Sequence, residues 1–380
     1  MEIHPSHPPR PQDIRGGCMK EVYYKEGPTA GGTAKSYIGP VAVAVPPYIA
    51  SQKEADEFFT RHYADRLGPR NLALMHKLFA HPAISQRAFA FDDPSCLIDE
   101  DPDRRIERFR HWAVNLSSDA ITRALHSAAL DTADVSSLVI NTCTGYICPG
   151  ISTYLIEELG LPRNVKAFDL VGSGCGGAIP NLQVASSLVS GEGVALSVSV
   201  EICSATFQME DDLSLLISNT LFGDGAAAAV VWGRPEGFEL VDSVSLYIPE
   251  EREHIRYVHK NGRLYNRLST VLPRLVRKAV STIVARLLAP RSLRTTDIGH
   301  WALHNGGEKI IREIKSELGL SEAQLAATRG VLSRYGNMSS PTVWFVLRDI
   351  LDKGVEKGDW CLMLSFGAGL SAHACLLRKT

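Results

Sequence analysis

Apolar and polar positions along the 380 residues alternate between strand-like runs and helix-like stretches. Ile38–Val45 is apolar enough for a strand, and Pro46-Pro47 ends it because proline offers no N–H to a ladder. From Ser51, apolar residues recur at helical spacing through Phe58, Phe59, Leu67, Leu72, Leu74, Met75, Leu78 and Phe79. Arg70, Lys77 and, just beyond, Arg87 read as a solvated helix face in preference to a phosphate site. Asp93–Arg110 is charged and irregular. A helix is expected over about 115–129, a strand over Val135–Thr142, and a helix from about Thr153 that Gly160 caps. Residues 1–35, with Pro5, Pro8, Pro9 and Pro11, read as a flexible arm.

The strand Val165–Val171 then runs into Gly172-Ser-Gly-Cys175-Gly-Gly177 and a helix over Ala178–Val189. Glycines let the backbone turn sharply. The unpaired N–H groups and dipole of the helix start should acidify Cys175 and make it nucleophilic. Three other readings stay open. Gly172-x-Gly174-x-x-Gly177 matches a dinucleotide fingerprint, with Glu201 as the ribose-binding acid. Ser173-x-Cys175-x-Gly177 has the form of a hydrolase elbow. A buried structural cysteine is the plainest account.

An internal repeat decides the organisation. Glu158-Leu-Gly-Leu161 recurs as Glu317-Leu-Gly-Leu320, 159 residues on. Ala133-Asp-Val135 before one strand matches Thr296-Asp-Ile298 before Trp301–His304. The Cys175 turn with Pro180 matches Tyr335-Gly-Asn337-Met-Ser-Ser with Pro341, and the following helices lead to strands Val194–Val200 and Trp360–Ser365. Two βαβαβ halves imply a duplicated α/β fold with a pseudo-two-fold axis. Cys175, His304 and Asn337 then converge from equivalent strand ends, although His304 and Asn337 taken singly read as a satisfied structural histidine and a turn residue.

Composition narrows the chemistry. A net charge of −2 gives no bias toward nucleic acid or anionic membrane. Eight scattered cysteines suggest a reducing cytosol, and Cys143-x4-Cys148 has no second pair for zinc. No apolar run reaches membrane-spanning length. A thiolate paired with imidazole can take an acyl group from a thioester. Histidine and asparagine N–H groups can then stabilise one oxyanion. If that oxyanion is the enolate of a decarboxylating malonyl thioester, the outcome is a Claisen condensation.

The Cys175 turn, Leu221-Phe-Gly-Asp-Gly225, His304-Asn-Gly-Gly307, Tyr335-Gly-Asn-Met-Ser-Ser340 and Phe366-Gly-Ala-Gly-Leu370 together resemble the chalcone synthase-like type III polyketide synthases, from about residue 36 onward. The resemblance implies a thiolase fold of αβαβα layers, with halves over 36–240 and 241–380. It also implies a cytoplasmic homodimer without organic cofactor or metal, acting on acyl- and malonyl-coenzyme A, with an acyl carrier protein as alternative donor. It makes Cys175, His304 and Asn337 catalytic. It lines the pocket with Cys143, Thr144, Cys203, Thr206, Phe222, Tyr265 and Ser339, and sets Cys148 at the dimer contact and Lys77 at the coenzyme A phosphates. Phe222 reads equally as gate or core, and Tyr265 as the second gate. Asp224 reads as a turn former. Asn305 stands where the family has proline, and Cys143-Thr144 looks microbial. An aliphatic starter and a pyrone or resorcinol product are expected. The rivals are a single-step ketoacyl synthase, a nucleotide-binding oxidoreductase and a catalytically idle subunit.

Overall fold

The computed structural model describes residues 35–191 and 193–380. Apart from Lys35, the expected N-terminal arm lies outside the described residues. The strands are β1 (Tyr37–Ala44), β2 (Tyr48–Ser51), β3 (Gln86–Phe89), β4 (Val135–Asn141), β5 (Lys166–Leu170), β6 (Val194–Glu201), β7 (Gly225–Trp232), β8 (Phe238–Tyr247), β9 (Ile255–Lys260), β10 (Arg263–Leu268), β11 (His300–Leu303), β12 (Trp360–Gly367) and β13 (Ser371–Lys379). The helices are α1 (Gln52–Tyr63), α2 (Pro69–Phe79), α3 (Pro102–Ser127), α4 (Ile151–Glu158), α5 (Ala178–Leu188), α6 (Leu213–Leu221), α7 (Leu272–Leu288), α8 (Glu308–Leu318), α9 (Glu322–Tyr335) and α10 (Thr342–Asp352).

A nine-stranded sheet runs β11-β12-β13-β8-β1-β7-β6-β4-β5. Read outward from the β1–β8 junction, both sides carry one connectivity. The first side is β1-β7-β6-β4-β5; the second is β8-β13-β12-β11 and stops a strand short. The segment equivalent to β5 is missing because α9 runs straight into Gly336-Asn337. The expected 240/241 boundary falls inside β8.

Strand residues sort by period two onto two cores. On β12, Leu362, Leu364 and Phe366 join the cluster under α7 and α8. Cys361 and Met363 join the cluster around α5 and α10. Helix α5 touches β4, β6, β12 and β13, and α10 touches β1, β7, β11 and β12, so both lie between the two halves of the sheet. Helix α3 covers the outer face through Phe109, Ala113, Leu116, Ala120 and Ile121. The result is an αβαβα stack in which β6, β7, β12 and most of β13 are buried, largely apolar runs because both faces are covered, while the edge strand β5 stays exposed.

Helix α3 corrects the expectation of an irregular 93–110. It begins at Pro102, with the Asp101 side chain accepting from the N–H groups of Asp103 and Arg104. Proline at the first helical position after an aspartate cap is a start signal. The charges of Arg104, Glu107 and Arg110 form its outer face and hid the period. Arg87 also departs from expectation. It is 1% exposed on β3, inside the protein and not on a solvated face.

Candidate active site

The turn after β5 matches the strand–turn–helix expected. Gly172 and Gly174 take left-handed φ of 92° and 55°, open to glycine at little cost. Cys175 lies in a single 3₁₀ turn, Gly174–Gly176, just before α5. The C-terminal end of β12 presses on this turn from the second half of the chain. Gly367 has no room for a side chain because Ser173 O and Gly176 N lie against it, and the Ser365 hydroxyl donates to Gly176 O at 3.1 Å.

His304 follows β11, its N–H bonded to Leu364 O at 2.8 Å and its ring edge-on to Phe366 at 4.9 Å. The Asn337 segment is threaded beside Phe222. Asn337 N donates to Leu221 O and Gly223 N to Asn337 O, both at 3.0 Å. The Asn337 side-chain oxygen accepts from Ser339 N at 2.8 Å, which turns its NH₂ the other way. Ser339 itself has φ 59°, a strained conformation for a non-glycine residue. Asn305 has a definite role: its NH₂ donates to Gly336 O at 3.0 Å, one residue before Asn337. Cys175, His304, Asn337 and Phe222 line one cavity.

The electrostatics differ from the sequence expectation. Cys175 keeps a partly accessible surface, yet surrounding protein pushes its thiol up to about 12. The Ser339 hydroxyl, donating to Sγ at 3.2 Å, pulls the other way, and Glu201 adds to the rise. Burial pushes His304 down to about 3, and neither ring nitrogen has a hydrogen-bond partner. The free site therefore holds a neutral thiol and a neutral imidazole, where an acidified cysteine kept ionised by His304 was expected. Desolvation outweighs the field of one helix start.

Cys143 Sγ is 3.4 Å from Ser339 Oγ, which in turn donates to Cys175 Sγ. Glu201 is a site residue that sequence reasoning placed elsewhere. Its buried carboxylate accepts from Cys143 N, from Thr144 N and Oγ1, and from the Ser340 hydroxyl at 2.7–3.1 Å. Burial pushes its carboxyl up and those donors pull it back. With both oxygens engaged it cannot take a ribose. Asp224 likewise is no simple turn former. Fully buried, it accepts from Ala90 N at 2.7 Å and from the N–H and hydroxyl of Ser204 at 2.9 and 2.6 Å.

Cys203, Thr206 and Phe222 line a second, aromatic cavity, and Thr144 and Thr206 line a third. Tyr265 lines none of the three, a correction to its expected gating role. In the hairpin, Tyr265 pairs with Val258 and Asn266 with Tyr257. Alternation puts Tyr257 and Asn266 on the aromatic cavity and turns Tyr265 outward, where its hydroxyl donates to Glu210 at 2.9 Å. Lys77 is exposed on α2 and stands outside the catalytic cavity, which its neighbour Leu78 lines together with His81, Lys309 and Arg312. Cys148 is exposed. Among the described residues, no group of three His, Cys, Asp or Glu side chains is placed to hold a metal ion.

A cysteine, a histidine and an asparagine converging from both halves of a duplicated αβαβα stack define a condensing enzyme of the thiolase fold. Residues 49–255 match the family model of FAE1/type III polyketide synthase-like proteins, and 239–380 that of the chalcone and stilbene synthase C-terminal domain. The chain is 30% identical over 321 residues to a 3,5-dihydroxyphenylacetyl-CoA synthase of Streptomyces toyocaensis, covering 80% of this chain and 82% of that one. It is 28% identical to an alpha-pyrone synthesis polyketide synthase-like protein of Mycobacterium tuberculosis, over 95% and 96% of the two chains. It superposes on 1,3,6,8-tetrahydroxynaphthalene synthase from Streptomyces coelicolor with a TM-score of 0.85 at 26% identity, over 90% and 99%. This chain belongs to the type III polyketide synthases, and is an acyltransferase that forms carbon–carbon bonds.

Proposed function

We propose that the protein condenses malonyl thioester units onto an acyl starter held on Cys175, giving a pyrone or resorcinol. The observation that carries this is the convergence of Cys175, His304 and Asn337 on one cavity. The starter's carbonyl draws the Cys175 thiol into attack, and the thiol proton passes to the neutral imidazole of His304 as the C–S bond forms. The leaving thiolate of the carrier takes that proton away. A malonyl thioester then sets its carbonyl between His304 and the Asn337 NH₂. Loss of CO₂ leaves an enolate whose oxygen both groups hydrogen-bond. Its carbon attacks the acyl carbonyl on Cys175, and the C–S bond breaks to release the Cys175 thiolate. The lengthened β-keto chain ends on the malonyl-derived carrier, ready to reload Cys175. No cofactor enters any step.

The cavity wall supports coenzyme A as carrier, because Lys309 and Arg312 offer cations there; an acyl carrier protein presents fewer phosphates. Lys77, exposed on α2 beside the cavity-lining Leu78, is proposed as a further cation for the coenzyme A phosphates. The edge strand β5, with Phe168 40% exposed, and nearby Tyr146 at 73% and Val171 at 57% support a homodimer that covers them. Cys148 then lies at the contact. Among the described residues no helix is long and apolar enough to cross a membrane; the enzyme is proposed to be cytoplasmic, with two fused halves that meet at the start of β8.

The test is a product mass spectrum after incubation with malonyl-coenzyme A and a panel of acyl-coenzyme A starters, beside Cys175→Ala. Malonyl-dependent products absent from the variant are expected. Products that persist without Cys175 overturn the mechanism. No product from any starter points to carrier-protein donors or an idle subunit.

A further inference from the structure

The side chains beneath the Cys175 turn form one buried polar network. Asn141 ends β4 and Asn181 lies on α5; both are buried, as are Ser197 and Ser199 on β6. The Ser197 hydroxyl donates to Asn181 Oδ1 at 2.6 Å. The Asn181 NH₂ and the Ser199 hydroxyl both donate to Asn141 Oδ1, at 3.0 and 2.7 Å. With its oxygen so engaged, the Asn141 amide can face only one way, and its NH₂ donates to Ser340 Oγ at 2.8 Å. The Ser340 hydroxyl in turn donates to Glu201 at 2.7 Å. The same NH₂ lies against the nucleophile turn: a Cβ on Gly177 would stand 2.7 Å from Asn141 Nδ2. One amide of the first half thus touches both the Cys175 turn and the segment that follows Asn337.

The residue before Ser340 is the one that needs holding. Ser339 keeps φ at 59°, which a non-glycine residue adopts only where its surroundings fix it. In that conformation its hydroxyl donates to Cys175 Sγ at 3.2 Å and its N–H donates to Asn337 Oδ1 at 2.8 Å. The first bond favours the thiolate, and the second orients the Asn337 NH₂. We propose that Asn141 is a positioning residue for both groups: by anchoring Ser340 it holds Ser339 in the strained conformation that bonds Cys175 and Asn337. Asn141 does not line the catalytic cavity, so it acts through these serines and never on the substrate. Packing alone would be served as well by apolar side chains of the same shape. A polar network this deep is costly unless every member is satisfied, and once satisfied it fixes a single arrangement. The proposal rests on the condensing reading above.

The experiment compares wild type with Asn141→Leu, which keeps the volume, removes the anchor and leaves Ser340 free to donate to Glu201. Three rates are read. They are alkylation of Cys175 by iodoacetamide in mildly alkaline buffer, followed by peptide mass; acylation of Cys175 by an acyl-coenzyme A, followed by intact-protein mass; and steady-state condensation. Losing the Ser339 donor lowers the thiolate population by about tenfold. Greater nucleophilicity of the remaining thiolate offsets part of this, so alkylation is expected to slow by about threefold or more. Acylation slows with it. kcat for condensation falls by about tenfold or more, because Asn337 is misaimed as well, while KM stays within about twofold. A residue that only fills space would loosen the site when replaced and leave alkylation unchanged or faster. Should Asn141→Leu fail to fold, Ser340→Ala removes the same bond, and Glu201 keeps its donors Cys143 N and Thr144; the same losses are expected. Alkylation at the wild-type rate or faster in the folded variant, or a raised KM at unchanged kcat, overturns the proposal. If wild type condenses nothing with any starter, the condensing reading falls, and the alkylation rates alone still decide the role of Asn141.

Discussion

Gly223→Ala tests whether the register between the Phe222 and Asn337 segments sets the geometry of condensation. Gly223 has no need of glycine's left-handed freedom; it is small because two backbones approach it. A Cβ there would stand 2.7 Å from Tyr335 O and 3.3 Å from Ala88 O, neither of which can swing aside like a side chain. Ordinary contact begins near 3.4 Å, so the segments must part by about 3.4 − 2.7 = 0.7 Å. The hydrogen bonds of Leu221 O and Gly223 N to Asn337, both 3.0 Å, carry that shift to the Asn337 amide, the proposed oxyanion donor. Misplacement on this scale is expected to lower kcat for condensation by roughly 30- to 100-fold. Overpacking of this kind costs about 1–3 kcal/mol of stability. Acylation of Cys175, followed by intact-protein mass after mixing with an acyl-coenzyme A, should stay near wild type because the Cys175 turn is held by the end of β12 instead. Turnover within about twofold of wild type at unchanged melting temperature would refute the reasoning.

Asn305→Ala removes the donor to Gly336 O and is expected to lower kcat about tenfold and stability by about 1 kcal/mol, read by steady-state kinetics and thermal melting. With the Cys175 thiol pushed up to about 12 and no imidazole bonded to it, iodoacetamide labelling of the free enzyme should stay slow through neutral pH and climb toward the alkaline end; a fast plateau below pH 7 contradicts the neutral pair. Burial holds His304 near 3 and His373 near 4, below the ~6.5 of an unfolded imidazole. The unfolded chain therefore binds protons first, stability is full above about pH 6.5 and declines from there toward pH 3–4, and His373→Gln should flatten the decline in a pH series of melts. Phe168→Asp on β5 should shift the molecular mass measured by light scattering toward the monomer; an unchanged dimer means another surface pairs.

How much was legible varied with how local each determinant is. Cys175, His304 and Asn337 announced themselves because each sits in a short motif of glycines and caps whose backbone needs are set within a few residues; the repeat pointed to their convergence, although Asn337 follows helix α9 and not the strand end expected. The start of α3 was legible too, in Asp101-Pro102, but the outward charges of Arg104, Glu107 and Arg110 masked the buried face that follows. Tyr265 shows the opposite limit. Whether it or Asn266 meets the cavity depends on hairpin register, and one residue of slip turns every side chain over.

The sequence by itself determined the duplicated α/β class, the three converging residues and the family, because periodicity, turn chemistry and motif spacing are properties of neighbouring residues. Tertiary structure alone decided the rest. It buried Arg87, gave Glu201 and Asp224 to backbone clamps, and set Asn305 on Gly336. It also left Cys175 and His304 neutral. Each of these depends on what is excluded from water by segments far apart in the chain, and desolvation has no signature in any one of them.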